Sequence, residues 1–243
     1  MVEYVGACED RLWQRDMLPV RKWLAARGFT KEVLQANRVG ADPGPSAMRR
    51  PSGLPRGHGL AATFPALDPN GAVRYVQTRY LEFRDDGPKY NNPAGRLGTN
   101  PRLAWTIPVG DPQPGVLIVC EGIPDALTAA QVGFRAAAVL GAQYPDENVA
   151  NRLATVAEQH DLTITAVIDA DDAGRNWGQR LGDLVASSGV DLNIIEPPGE
   201  GLDLNEWARV DPDWATWIAP DLDLAPVINL REIDSSPQLE VPA

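Results

Sequence analysis

Five carboxylates in the C-terminal half of this sequence stand at or just after the ends of apolar runs. Glu121 closes the run in "LIVCEGIPDAL", and Asp125 follows it four residues later. Asp169 and Asp171 close "VIDADDAG", and Asp203 comes next in "GEGLDLNEW". Carboxylates gathered in one place repel each other, and a divalent cation with hard oxygen ligands, such as Mg²⁺, relieves that repulsion. These residue types therefore point to metal-assisted chemistry, provided that the fold brings them together.

Some of the acids in this region have a structural explanation as well. Asp125 at the start of a helix would favour the positive end of the helix dipole, and this explanation is as good as a role in metal binding. Asp172 is expected to cap the helix that follows it rather than to bind metal. Asp203 is expected in a loop, where a lone carboxylate is common. These alternatives stay open at the level of the sequence.

The elements that must position these acids alternate regularly from Gly115 onward. The predicted strands are "VLIVCEG", "RAAAVLGA", "LTITAVIDAD" and "VDLNIIEPP", and the predicted helices between them are "PDALTAAQVG", "DENVANRLATVAEQH" and "AGRNWGQRLGDLVASSG". Near-continuous apolar strands alternating with helices are typical of a parallel sheet covered on both faces. Functional groups of such sheets gather at the carboxyl ends of the strands. The pattern therefore predicts a shared metal site that includes Glu121, Asp169 and Asp171.

The N-terminal half is predicted to be a smaller, mixed unit. Residues 19–36 read as two short helices broken at Gly28, with Thr30 as the N-cap of the second. Residues 43–59 are rich in Pro, Gly and Arg, and they form either a flexible connection or a DNA contact. Residues 60–83 contain the turn "DPNG" between two β-rich runs, which is a hairpin pattern.

Charge divides the chain into two unequal parts. Residues 1–110 hold 16 Lys and Arg against 10 Asp and Glu, whereas residues 111–243 hold 6 against 23, and the whole chain carries −11. The first part could meet phosphate groups, while the second needs cations or solvent to balance it. No apolar run is long enough to span a bilayer and the N-terminus has no secretory pattern, so a soluble cytoplasmic protein is expected.

Cysteine and histidine are too sparse for a zinc site. Cys8 and Cys120 lie far apart, and neither they nor the two histidines have metal-ligand spacing. Cys120 lies inside an apolar strand and is expected to be a small core residue. We therefore expect no zinc in this chain.

The acidic motifs have a family resemblance. "EGIPDAL", "VIDADDAG" and "DLNEW", in this order and strand context, resemble the Toprim domain of bacterial-type DNA primases and phage primase–helicases. The resemblance implies an α/β fold in which a C-terminal Toprim domain, with a four-stranded mostly parallel sheet and flanking helices, follows a small mixed α+β subdomain. It implies Glu121, Asp169 and Asp171 as catalytic residues that bind Mg²⁺ or Mn²⁺, with Asp125 and Asp203 as further metal ligands. Topoisomerases and some nucleases share the Toprim fold, so this fold alone leaves the reaction open.

The basic half extends the resemblance over roughly residues 20–210. "RYLEFRDDGPKYNNPAG" resembles the primase segment in which an Arg-bearing strand leads into a K-Y-x-N-x-P motif, although the proline here comes one residue early. The resemblance implies that Arg79 and Lys89 contact phosphates of nucleotide or template and that Tyr90 stacks on a base. Asn92 is expected to bond sugar or phosphate. Each could instead be an ordinary strand, packing or turn residue.

Three departures from the family bear on function. The N-terminal zinc-binding domain that reads the template is absent, and no P-loop of a fused helicase is present. A further family lysine is also missing, since Thr99 or Asn100 falls near its place. The missing modules are typical of a phage or mobile-element protein. We expect three segments: the basic primase-core subdomain at 1–110, the Toprim catalytic domain at 111–219 and a mobile or partner-binding tail at 220–243.

These observations predict a DNA primase catalytic core. It would act as a DNA-directed RNA polymerase (a nucleotidyltransferase) of the primosome that makes short RNA primers on single-stranded DNA from ribonucleoside triphosphates. The alternatives are a Toprim-type nuclease and a non-catalytic single-strand-binding subunit of a replication complex. Expected partners are a separate zinc-binding primase subunit and a replicative helicase, with no membrane involved. Predicted docking surfaces are the first 18 residues, anchored by Leu12 and Trp13, and the tail "LAPVINLREI".

Overall fold

The computed structural model of the chain describes residues 1–54, 57, 59–82, 90–141 and 145–219. Its helices are α1 Val2–Leu12, α2 Leu18–Ala26, α3 Lys31–Ala36, α4 Ile123–Gln131, α5 Glu147–His160, α6 Asp172–Ala186, α7 Leu204–Val210 and α8 Trp214–Ile218. Its strands are β1 Gly40–Asp42, β2 Ala61–Leu67, β3 Val73–Tyr80, β4 Tyr90–Asn91, β5 Leu103–Trp105, β6 Val116–Cys120, β7 Arg135–Val139, β8 Thr163–Val167 and β9 Leu192–Ile195. None of the helices in these ranges is long and apolar enough to cross a bilayer.

The C-terminal half has the predicted parallel sheet. Strands β7, β6, β8 and β9 lie side by side in that order, and every pairing among them is parallel. Alternate residues of β6 enter different parts of the core: Ile118 and Cys120 join one apolar cluster, while Leu117 and Val119 join another. Such alternation is what a strand buried on both faces requires. The predicted α/β fold class and the core position of Cys120 are both confirmed.

The hairpin of the basic half joins the same sheet. Strands β2 and β3 pair antiparallel around the "DPNG" turn, where the Asp68 carboxylate accepts hydrogen bonds from the N–H groups of Asn70 and Ala72. Strand β4 extends the hairpin on the β3 side, and β5 connects β2 to β7 by antiparallel pairings. The two halves are therefore continuous through one sheet, which fixes the hairpin relative to the acidic strand ends.

The predicted helix break at Gly28 is confirmed. Gly28 adopts a φ of +82°, a conformation that costs glycine little, and the Thr30 side chain caps α3 by accepting the N–H of Val33 at 3.3 Å. The backbone N–H of Thr30 donates to the side chain of Gln131 at the end of α4. The turn between α2 and α3 is thereby attached to the acidic half of the molecule.

The structure contradicts one anchor of the docking surface predicted in the N-terminal segment. Val5, Cys8 and Leu12 of α1 are fully buried, and Trp13 packs against the core. The expectation that Leu12 serves as a free apolar anchor was wrong, because the amphipathic pattern of α1 faces the chain's own sheet. The tail "LAPVINLREI" lies outside the described residues.

Part of the Pro-, Gly- and Arg-rich segment is anchored in the core. The Arg50 guanidinium pairs with the fully buried carboxylate of Asp42 at 2.6 Å, and the Tyr4 hydroxyl donates to the same carboxylate. A buried charge requires such a partner. The Arg50 side chain therefore has a structural role, because it neutralises the buried carboxylate of Asp42.

Candidate active site

The carboxyl ends of the parallel strands bring the predicted acids together. Glu121 follows β6 directly, Asp169 follows β8, and Asp203 precedes α7. The N–H of Asp169 donates to Oε1 of Glu121 at 3.4 Å, so the ends of two neighbouring strands touch through these residues. Together with Asp125 and Glu206, they line part of a cavity of about 310 Å³. The predicted convergence of acids from separate strands is present.

Two glycines allow the backbone to approach this closely. A Cβ added to Gly122 would lie 2.7 Å from Oδ2 of Asp125, and one added to Gly174 would lie 2.1 Å from the carbonyl oxygen of Asp169. Real Cβ atoms do not come that near to other heavy atoms. Glycine is therefore required for steric reasons at these positions of "EGIPD" and "DADDAG", because any side chain there would displace the neighbouring aspartates.

Burial and mutual repulsion both act on these acids. Removal from water, and after it the charge of Asp169, raise the pKa of Glu121 to about 7. The pKa of Asp169 is raised to about 6, first by burial and then by the charge of Asp203. Burial also raises the pKa of Asp125 well above its usual range, with Asp203 and Asp169 adding to the effect. Groups that are this costly to ionise call for positive charge.

Helix caps occupy part of the acidic set. Asp171 is the N-cap of α6, and its Oδ1 accepts the N–H of Gly174 at 2.8 Å. The expectation that Asp172 caps this helix was wrong by one residue: Asp172 already lies in the first turn, and its carboxylate pairs with Arg175. Asp203 caps α7 in the same way, accepting the N–H of Glu206 at 2.7 Å. Asp171 and Asp203 each retain a second oxygen beyond the capping bond.

Asp125 combines the two explanations that the sequence left open. It lies in the first turn of α4, where the helix dipole favours a carboxylate, and it also lines the cavity. Its Oδ1 accepts the backbone N–H of Asn205 at 3.1 Å. Its side chain is therefore fixed by α7.

Two arginines and one aromatic ring from the basic half line the same cavity. Arg79 and Tyr90 stand opposite each other in the pairing of β3 with β4, and the Arg79 guanidinium lies 4.9 Å from the centre of the Tyr90 ring. Arg27 follows α2, and its guanidinium lies 4.4 Å from the centre of a ring of Trp23. Arg27, Arg79 and Tyr90 share this cavity with the carboxylates. Burial and the charge of Arg79 lower the pKa of Arg27, so the cations are crowded as well.

The other predicted site residues fall elsewhere. Asn92 is exposed and its Oδ1 accepts a hydrogen bond from Gln77 at 3.3 Å, away from the cavity lining. Asp171 is exposed beside the cavity, near enough for its charge to raise the pKa of Glu121 and Asp169. Lys89 lies outside the described residues.

Sequence reasoning missed Arg27 and Glu206. Glu206 could have been found, because "DLNE" has the spacing of a capping box that begins at Asp203. Arg27 stands just before the predicted helix break, but nothing in the spacing connects it to Arg79 or to the acids. Only the tertiary fold brings it to the cavity.

The donor set fits a hard divalent cation, although the side chains do not enclose one. Carboxylate oxygens are the ligands that Mg²⁺ and Mn²⁺ prefer. Burial, together with the negative charge of neighbouring carboxylates, raises the pKa of Glu121 and of Asp169. Among the described residues, no three carboxylate, imidazole or thiol groups converge closely enough to hold a metal ion as they are placed. A bound cation would have to draw the carboxylates inward.

Comparisons with known proteins agree with this architecture. A Toprim-like family model matches residues 118–208. The primase of Aquifex aeolicus, comprising zinc-binding and RNA polymerase domains, superposes with a TM-score of 0.67 at 21% identity, covering 89% of this chain and 58% of that one. A DNA primase domain from Pseudomonas aeruginosa superposes with a TM-score of 0.68 at 21% identity, covering 89% of this chain and 76% of that one. A DnaG primase catalytic domain bound to single-stranded DNA superposes with a TM-score of 0.68 at 20% identity, covering 93% of this chain and 80% of that one.

These similarities show a shared fold. The chain contains a Toprim-like domain and has the fold of bacterial primase catalytic cores, as its acidic motifs predicted. It spans less than two thirds of the Aquifex aeolicus chain that it matches. No curated protein is significantly similar to it in sequence.

Proposed function

We propose that this chain, with its fold of a primase catalytic core, joins ribonucleotides on a single-stranded DNA template. The observation that carries the proposal is the composition of one cavity. Carboxylates from the ends of β6 and β8 line it together with two arginines and a tyrosine from the basic half. Nucleotidyl transfer needs both kinds of group, because the triphosphate must be neutralised and the attacking hydroxyl must lose its proton.

The acidic part is proposed to hold Mg²⁺ or Mn²⁺. Glu121, Asp169 and Asp171 would be its principal ligands, with Asp125 and Asp203 contributing oxygens that their hydrogen bonds leave free. When bound, the cations would lower the pKa of the attacking 3′-hydroxyl and offset charge on the triphosphate. Burial and then mutual repulsion raise the pKa of Glu121 and of Asp169, and a bound cation would relieve the repulsion, which supports this role.

The basic part is proposed to position the nucleotide and the template. Arg27 and Arg79 would contact phosphate groups, where a planar guanidinium can bind two oxygens at once. Tyr90 would present its ring to a base, as aromatic residues do in single-strand binding proteins. Asn92, which is not part of the cavity lining, and Lys89, which lies outside the described residues, remain proposed contacts of the same kind.

Two partners are proposed in addition to template and ribonucleotides. A dinucleotide product has almost no pairing energy of its own, so the core needs a second module to hold it on the template during initiation. In the Aquifex aeolicus structure a zinc-binding domain accompanies the polymerase domain. Here both cysteines are buried without disulfide bonds, so we propose that a separate zinc-binding subunit supplies this function and that a replicative helicase completes the assembly.

The direct test is primer synthesis by the purified chain. Labelled ribonucleotides, single-stranded DNA and Mg²⁺ or Mn²⁺ should give short RNA products, with a zinc-binding primase module added in trans if the chain alone is inactive. Asp169→Asn should abolish incorporation, while Asp183→Asn, an exposed acid on α6, should leave it unchanged. Cleavage of the template without RNA products would favour a Toprim nuclease. Binding of single strands without either reaction would favour an accessory subunit. Either of these two outcomes would overturn the proposal.

A further inference from the structure

Asn205 connects three elements around the candidate active site. It is only 1% exposed and lies in the first turn of α7, two residues after the cap residue Asp203. Its backbone N–H donates to Oδ1 of Asp125 at 3.1 Å. Its side-chain Nδ2 donates to the carbonyl oxygen of Arg27 and to Oγ1 of Thr128, both at 2.9 Å. One residue thus contacts an acid of the cavity and the backbone that carries a cation of the cavity.

The partners of this side chain require a hydrogen-bond donor. A backbone carbonyl can only accept a hydrogen bond. The Thr128 hydroxyl donates its own hydrogen bond to the carbonyl oxygen of Pro124 at 3.0 Å, so its oxygen must accept the hydrogen bond from Asn205. An ionised aspartate in place of Asn205 would set a carboxylate against two acceptors, in addition to the acids already crowded in the cavity. An amide is the group that fits, and its orientation follows from the network.

We propose that Asn205 is a positioning residue that holds Arg27 at a fixed distance from Asp125. Holding the Arg27 carbonyl fixes the turn from which its guanidinium reaches the Trp23 ring and the cavity. The other bond, through the backbone N–H, fixes Asp125 and does not depend on the side chain. The side chain of Asn205 therefore controls the phosphate-binding part of the cavity more than its metal-binding part. This inference rests on the proposed function of the cavity.

The position of the Asn205 side chain carries a cost in stability. Its Oδ1 is buried and has no hydrogen-bond partner within the described part of the protein. A buried acceptor without a partner costs free energy of folding. The two bonds of Nδ2 are made in spite of that cost, and one of them holds the backbone of Arg27, a residue that lines the cavity.

The kinetic test compares Asn205→Ala with the unmodified chain and with Asn193→Ala, a matched change on the exposed strand β9. Loss of the two Nδ2 bonds should raise KM for the ribonucleotide about tenfold. Both kcat and the Mg²⁺ dependence should stay close to those of the unmodified chain, because the bond from the backbone to Asp125 remains. Asn193→Ala should change none of these values. A fall in kcat with an unchanged KM would overturn the proposal.

Hydrogen exchange tests the same residue without any activity. In Asn205→Ala the amides of Gly28, Phe29 and Thr30 should exchange faster, while those of the central strands keep their protection. Unchanged exchange in this turn would overturn the proposal. A third outcome separates the two proposals. If the unmodified chain makes no primers but Asn205→Ala still exchanges faster in this turn, the proposed function is refuted and the positioning role of Asn205 is retained.

A second variant covers the case in which Asn205→Ala does not fold. Thr128→Val removes one of the two acceptors and nearly preserves side-chain volume. It should raise KM and the exchange of the same turn by smaller factors than Asn205→Ala. Unchanged KM and exchange in folded Thr128→Val would count against the proposal.

Discussion

Glu121→Gln should stabilise the metal-free protein at neutral pH and remove part of its response to metal. The folded state raises the pKa of Glu121 from 4.5 to about 7. A carboxyl whose pKa is raised by folding contributes its stability below the unfolded pKa and loses it as the pH rises through the folded pKa. Ionised Glu121 therefore destabilises the fold above pH 7, and its amide analogue avoids that cost.

The magnitude follows from the size of the shift. One pKa unit corresponds to about 1.4 kcal/mol, so the full shift corresponds to about 3 kcal/mol. The side chain is only partly buried, and solvent screening reduces this to about 1–2 kcal/mol. For a chain of this length, that difference raises the melting temperature by roughly 2–8 °C.

Thermal unfolding of chelator-treated protein measures this effect. At pH 8 the variant should melt above the unmodified chain, and at pH 4 the two should melt together. Added Mg²⁺ should raise the melting temperature of the unmodified chain more than that of the variant. Glu158→Gln, on the exposed side of α5, is the control, since surface changes of this kind alter stability by at most about 0.5 kcal/mol. A Glu121→Gln variant that is equally or less stable at pH 8 would refute the reasoning.

Three further outcomes are expected. Asp169→Asn should abolish nucleotide incorporation with no loss of melting temperature, because the side chain lies at the sheet edge; near-normal incorporation would remove Asp169 from the metal site. Single-stranded DNA should bind weakly through residues 1–110 and dissociate steeply with salt as counterions are taken up again, with Arg79→Ala and Lys89→Ala each lowering affinity in a fluorescence titration; equal affinity at low and high salt would contradict this. Primer synthesis should be low for the isolated chain and rise when a zinc-binding partner is added, whereas robust template-specific synthesis without zinc would exclude the need for a partner.

Local patterns predicted most of the secondary structure near the site. The apolar runs before Glu121 and Asp169 became β6 and β8, and the break at Gly28 and the cap at Thr30 fell where the sequence placed them. Such features depend on neighbouring residues only: on side-chain periodicity, on the freedom of glycine at positive φ and on a hydroxyl within reach of the next turn. Asp172 shows the limit of this reasoning, because several adjacent aspartates can each cap a helix and only the path of the chain selects Asp171.

The sequence by itself determined that acids would meet at the edge of a parallel sheet. Alternating strands and helices make the strands parallel, and the acidic motifs follow the carboxyl ends of these strands. Only the tertiary structure decided what meets those acids. Arg27 reaches the cavity because the turn after α2 is bonded to α4 and α7, through Gln131 and Asn205. Asn92 is not part of the cavity lining, and its side chain instead accepts a hydrogen bond from Gln77. Contacts between distant segments depend on how the elements pack and leave no period or spacing in the chain, so the cations of the site could not be identified with the same certainty as its carboxylates.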